Sequence, residues 1–162
     1  RLRMRFNKAL RNLFIVLFST LMISACATGK KAADPLKNDV YTGTDTVEYL
    51  ANGVPDRVFF ATNKFNLTTA ARDTLRKQAT WLRKNKKITV TIEGHADERG
   101  TREYNLALGE RRANAAKDYL MTYGVSGKRL SVISYGKERP VNPASSPLAW
   151  SQNRRSVTVK AN

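Results

Sequence analysis

Residues 93–112, EGHADERGTREYNLALGERR, decide how the chain is read. They begin at the end of an alternating run, Ile88-Thr89-Val90-Thr91-Ile92-Glu93, whose period of two predicts a strand with one buried face. They cross a polar turn, Gly94-His95-Ala96-Asp97-Glu98-Arg99-Gly100, and enter a long helical pattern carrying Arg111 and Arg112. A carboxylate at a strand end and a guanidinium on the following helix thus fall within one short span. Arg112 stands about two turns beyond Asn105, and helical side chains lean toward the helix N-terminus, here back toward the Asp97 turn. Such a pair suits a ligand with both an ammonium and a carboxylate. Asp97 would hold the first, and Arg112 would fork onto the second with two parallel hydrogen bonds.

Strand and helix patterns continue on both sides. Arg57-Val58-Phe59-Phe60-Ala61 predicts a first strand. Thr68 or Thr69 is the expected N-cap of a first helix, with Asp73 in its first turns and Ala71, Leu75, Gln78/Ala79 and Leu82 at helical spacing. Trp81 is expected to help cover the sheet, and Arg83-Lys84-Asn85-Lys86-Lys87 to end the helix as a solvated segment complementing its dipole. The second helix starts at a cap offered by Thr101 or Asn105, turns Leu106, Ala113, Ala116 and Leu120 inward, and stops at Tyr123-Gly124. Residues 129–135 predict a third strand, residues 136–147 a turn-rich loop, and residues 156–160 a fourth strand led in by Trp150, Gln152, Asn153, Arg154 and Arg155. Strands alternating with two long helices give an α/β (α+β) sandwich of two layers. A span of about 105 residues is enough for one core without disulfides.

The N-terminus reads differently. Residues 1–25 carry five basic and no acidic side chains; removing those five from the formal +16 leaves +11 for the remainder. Basic residues up to Arg11, followed by an apolar run from Leu13 to Ile23, predict a secretory signal too short for a stable membrane span. The chain therefore divides into a signal over 1–25, a tether over 26–55 and a folded domain over 56–162. Residues 26–55 show no sustained period. As a flexible chain of about 30 residues they would have a root-mean-square span of roughly 30 Å.

Gly94-His95-Ala96-Asp97-Glu98-Arg99-Gly100, followed by Asn105, Leu108-Gly109 and Arg112-Ala113, resembles the OmpA-like peptidoglycan-binding family, and within it the peptidoglycan-associated lipoproteins. The similarity runs from about Val58 to Val159. It implies a mixed four-stranded sheet packed by two long helices, and contact of Asp97 and Arg112 with the diaminopimelate of a cell-wall stem peptide. Leu108 and Gly109 are expected to shape a shallow wall beside that site, and one of Arg154 and Arg155, in a family-like Asn-Arg-Arg segment, to face the wall as well, with Arg155 taken as the site residue. Ile23-Ser24-Ala25-Cys26 resembles a lipobox, so Cys26 is the expected acylation point. Ala27 lacks the aspartate of an inner-membrane retention signal, which favours the periplasmic face of the outer membrane. The resemblance also implies docking to the periplasmic propeller protein TolB and a role in envelope constriction at division. One departure stands out: similar sequences carry aspartates after the first strand, and this chain has Ala61, Asn63 and Asn66 there. Asn63 is then expected to supply a neutral contact through its amide or the backbone.

Catalysis finds little support. His95 is the only histidine and Cys26 the only cysteine, while a metal site wants three or four ligands. No nucleophile elbow accompanies Ser134. No catalytic residue, metal or cofactor is expected. The basic balance leaves a second class, a surface that binds anionic lipid or nucleic acid; export and the lack of an RNP-like or Gly-rich nucleotide signature argue against nucleic acid.

Overall fold

The computed structural model describes residues 36–161. The signal segment and Cys26 lie outside these residues. Four strands form the main sheet: β5 (Arg57–Phe59), β6 (Val90–His95), β7 (Leu130–Gly136) and β8 (Arg155–Lys160), in the order β5-β8-β6-β7. The last strand inserts at the centre, antiparallel to both β5 and β6, while β6 and β7 run parallel. A parallel pair needs a long crossover. The helix α2 (Arg102–Thr122) provides it, and α1 (Thr69–Lys84) joins β5 to β6. The fold is therefore a mixed four-stranded sheet packed by two long helices.

The core lies between these layers. Val90 and Ile92 of β6 meet Ala71, Leu75, Ala79 and Leu82 of α1 and Ala113, Ala116 and Leu120 of α2, with Phe60 fully buried among them. Leu106 is only half-buried. Trp81 packs partly buried against this cluster. Thr68 is the N-cap of α1, its hydroxyl accepting from the Ala71 amide at 3.1 Å; Asp73 falls beyond the first turn and pairs with Arg76. The carbonyls at and beyond the other end of α1 are met by Arg129, whose guanidinium donates to the carbonyls of Leu82, Asn85 and Ile88. These are groups a helix terminus cannot satisfy by itself. Thr101 caps α2 and receives the Tyr104 amide at 3.2 Å, and Gly124 follows with φ 84°.

Three features differ from the sequence reading. Residues 36–55, read as tether, are folded. Leu36–Lys37 (β1) pairs with Val40–Tyr41 (β2), and Tyr49–Ala51 (β3) with Val54–Pro55 (β4). Asn38 and Asp39 form the first turn with φ 53° and 63°, the two positive φ values that a two-residue type I′ hairpin requires. Tyr41 and Leu50 are buried, and the Tyr41 ring meets Phe59 edge-on at 4.8 Å. Second, β6 runs on to His95, past the expected strand end. Third, α3 (Pro147–Asn153) follows the turn-rich loop, where only a lead-in to the fourth strand was expected. Its signal was Ser146 before Pro147: the Ser146 hydroxyl accepts from the Ala149 amide, and proline at the first helical position needs no N–H.

Candidate functional site

The end of β6 is shaped by a close approach of helix to strand. A Cβ on Gly94 would run into the Gly109 carbonyl, and one on Gly109 would lie 2.8 Å from the Gly94 oxygen and collide with the Ser134 hydroxyl. Glycine at both positions lets α2 lie directly on β6. One residue later the register with β7 shifts, so that His95 faces Gly136, and the Ala96 amide donates to the Gly136 carbonyl at 2.8 Å. The shift re-aims the chain as bulges do, and the next residue is Asp97.

Asp97 is 7 % exposed and well occupied. Arg99 donates to it from its amide at 3.1 Å, from Nε at 3.1 Å and from Nη2 at 2.7 Å. Arg154 Nη1 lies farther, at 3.3 Å. Burial opposes the charge on Asp97, but the side-chain and backbone hydrogen bonds of Arg99, its charge and Arg154 outweigh burial and hold the carboxyl below its usual value. The Arg99 guanidinium stacks 4.2 Å from the Trp150 ring centroid. Trp150 Nε1 donates to Glu98 at 2.7 Å, which ties the turn to α3.

Arg112 lies at the same end of the sheet but is 0 % exposed. It is therefore not an open surface group. Helical phase turns Arg112 into the same buried face of α2 as Gly109, Ala113 and Ala116. Its guanidinium donates to three carbonyls: Lys64 from Nε at 2.8 Å, His95 from Nη1 at 2.8 Å and Ala61 from Nη2 at 3.1 Å. It thereby ties the loop after β5 to the end of β6. Burial, with the charge of Arg154 adding to it, pulls Arg112 down to about 9. Among the described residues no ion pair links it to Asp97.

The other expected residues are placed as follows. Asn105 is buried and organises the turn, its Nδ2 donating to the carbonyls of Arg99 at 2.9 Å and Thr101 at 3.0 Å. Leu108 and Gly109 are buried, so neither forms an open wall. Asn63 is exposed with φ 54°, a backbone conformation that asparagine tolerates better than most residues. Arg155 sits apart from Asp97. It donates to the carbonyls of Asn153 and Arg139, and burial, then the charge of Arg57, lowers it to about 10. Its neighbour Arg154 is the one that reaches Asp97: 2 % exposed, it donates to the Phe60 carbonyl, to Asp97 and to Asp39. His95 is a buried strand-end residue, against the expected loop position; burial, then the charges of Arg155, Arg57 and Arg139, push it down to about 3, so it is neutral near neutral pH. Sequence reasoning named Arg154 without choosing it and missed the roles of Arg99 and Asp39. No local pattern marks Asp39, which meets Arg154 across 115 positions of sequence.

A family model described as the OmpA family matches residues 59–154. A peptidoglycan-associated lipoprotein of Mesorhizobium japonicum is 47 % identical over 149 residues, covering 90 % of this chain and 89 % of that protein. One from Pasteurella multocida is 35 % identical over 153 residues, covering 93 % and 97 %. The crystal structure of the peptidoglycan-associated lipoprotein from Burkholderia pseudomallei superposes with a TM-score of 0.64 at 35 % identity, over 65 % of this chain and 90 % of that one.

Proposed function

The chain belongs to the OmpA family, and from that premise we propose that its folded domain binds peptidoglycan and ties an envelope membrane to the cell wall. The charge set at the end of β6 carries this reading. Asp97 is a carboxylate kept ionised, and Arg112 is a guanidinium with donors to spare. A guanidinium has five N–H groups; Arg112 gives one from each nitrogen to a carbonyl. One N–H on each terminal nitrogen remains, the number a carboxylate fork uses. The free end of a diaminopimelate residue in a wall stem peptide carries an ammonium and a carboxylate, opposite in charge to Asp97 and Arg112. Arg112 is covered, so the ligand reaches it only when the side chains above it move. The names of the lipoprotein relatives, none of them an enzyme name, support the same reading.

The test is co-sedimentation of the folded Asp97→Ala variant with purified diaminopimelate-type peptidoglycan, with lysine-type wall as control. A loss of about 2 kcal/mol, or more than tenfold in affinity, is expected, because charge-assisted hydrogen bonds exceed neutral ones. Sedimentation equal to the parent overturns the assignment. Wall association that ignores Asp97 and disappears at moderate salt would instead point to a basic surface such as the outer face of α1, with Arg72, Arg76, Lys77, Arg83 and Lys84 exposed.

Lipid anchoring through Cys26 at the periplasmic face of the outer membrane belongs to the same proposal, as do docking to a TolB-like propeller and action in cell division. The lipobox-like Ile23-Ser24-Ala25-Cys26 and the family motif support them. Stable anchoring takes more than one acyl chain. The mass of chain extracted from membranes is therefore expected to show multiple acylation at Cys26, and an unmodified thiol there would refute the anchor.

A further inference from the structure

The tip of the first hairpin reaches the candidate site. Asp39 Oδ2 accepts from the Thr62 amide at 2.8 Å, and Oδ1 accepts from Arg154 Nη2 at 3.0 Å. The Asp39 carbonyl takes the same nitrogen at 2.6 Å. Arg154 uses its other terminal nitrogen on Asp97. One buried guanidinium therefore bridges the two carboxylates, one on each terminal nitrogen. Arg99 lies outside this pair. It grips Asp97, donates from Nη2 to Thr62 Oγ1 at 3.3 Å, and its side chain is 43 % exposed on the face of Trp150.

Charge counting makes the arrangement specific. With Arg99 in place, the site holds Arg99, Arg112 and Arg154 against Asp39 and Asp97. With Arg99 swung out, two cations face two anions, and the inner site is balanced. A balanced site with one carboxylate released suits a zwitterionic group, whose ammonium replaces the departed guanidinium. Arg99 is the side chain able to leave: it is half-exposed and held by an aromatic face and hydrogen bonds at its tip, whereas Arg112 and Arg154 are buried and fixed by carbonyls.

We propose that Asp97, bridged to Asp39 through Arg154, is a cation-holding carboxylate that Arg99 fills in the free protein and the ammonium of a diamino-acid wall peptide takes over on binding, with Asp39 adding its charge to the same end of the site. The proposal rests on the wall-peptide reading of the site and adds Asp39 to it, so the segment before β5 is part of the binding domain. Asp39 is the carboxylate that keeps Arg154 from turning wholly onto Asp97.

Full-length chain and variants are titrated with purified diaminopimelate-type peptidoglycan in co-sedimentation, and their thermal unfolding is followed in parallel. Asp39→Asn keeps an acceptor for the Thr62 amide but loses the charge; it is expected to bind roughly tenfold more weakly, the scale of one charge-assisted hydrogen bond. Asp39→Glu restores the charge and is expected to recover part of the loss, which a purely structural role of the turn would not give. Arg99→Ala removes the competitor and is expected to bind a few-fold more tightly than the parent. Parent-like binding by Asp39→Asn overturns the role of Asp39, and weakened binding by Arg99→Ala overturns the stand-in. Asp97→Ala run beside them separates the two levels: if it also binds like the parent, the wall-peptide reading fails; if it alone is weakened, only this inference fails. Should Asp39→Asn unfold, the direction of the Arg99→Ala effect still decides.

Discussion

Arg112→Ala is expected to lower the unfolding free energy by about 3 kcal/mol or more, measured by denaturant titration. The side chain is buried and donates to the carbonyls of Ala61, Lys64 and His95. Removing it takes a donor from three carbonyls, of which that of Ala61 keeps the Lys64 amide at 3.1 Å, and opens a hole. Each buried polar group left without a partner costs on the order of 1 kcal/mol or more, and the cavity adds to this. Burying the guanidinium is itself costly, as its lowering to about 9 indicates, so the carbonyls offset part of what burial takes. Arg112→Lys keeps the charge but cannot serve three carbonyls on two segments, and an intermediate loss is expected. An Arg112→Ala protein within about 0.5 kcal/mol of the parent, the range of an inconsequential surface change, would show that these bonds contribute little. Wall binding of any Arg112 variant has to be compared on folded protein, because this arginine holds up the rim of the site it is proposed to serve.

The second large effect is expected at the crossing of α2 over β6. Gly94→Ala would place a methyl against the backbone of Gly109, which no rotamer change relieves. The helix must shift away from the strand, and a loss of about 3 kcal/mol is expected, at the upper end for overpacking. Gly109→Ala meets the Ser134 hydroxyl as well as the Gly94 oxygen. Part of its clash is with a side chain that can be removed, so Gly109→Ala combined with Ser134→Ala should be more stable than Gly109→Ala alone. That relief is not free: the Ser134 hydroxyl donates to the Leu106 carbonyl at 2.7 Å. Thermal melts of the three variants decide the point, and a Gly94→Ala protein melting with the parent would remove the close approach as a constraint. The stake is functional too, since this crossing sets where Arg112 sits relative to Asp97.

The strands and helices of the main domain were legible from local pattern. Period two at Ile88, Val90 and Ile92 and helical spacing from Ala71 to Leu82 each report which face is buried, and burial is a property a sequence repeats along an element. Caps were legible to within two candidates each for the same reason: Thr68 and Thr101, the ones the fold uses, act within three residues of themselves. The site was legible in part. Asp97 follows the strand end as expected, and Arg112 comes to the same end of the sheet.

Pairing choices were not legible. A carboxylate near three arginines can take any of them, and the sequence favoured Arg112. In the fold Arg99, two positions along the turn, occupies Asp97, while Arg112 is committed to carbonyls. Arg154 and Arg155 are indistinguishable as neighbours in sequence, yet one reaches Asp97 and the other donates to Asn153 and Arg139. Residues 36–55 lack any sustained period because their strands are two or three residues long. They are held by long-range contacts, among them Tyr41 on Phe59, Asp39 on Arg154 and Asp45 on Gln152. The sequence by itself determined the layers, the two long helices with a short choice of caps, and the carboxylate at the strand end, because each depends on residues a few positions apart. Only the tertiary structure decided which arginine meets which acid, and that the N-terminal hairpin reaches Arg154 beside Asp97. Hydrogen bonds between side chains more than a hundred positions apart depend on where the whole sheet places them, and no local period records that.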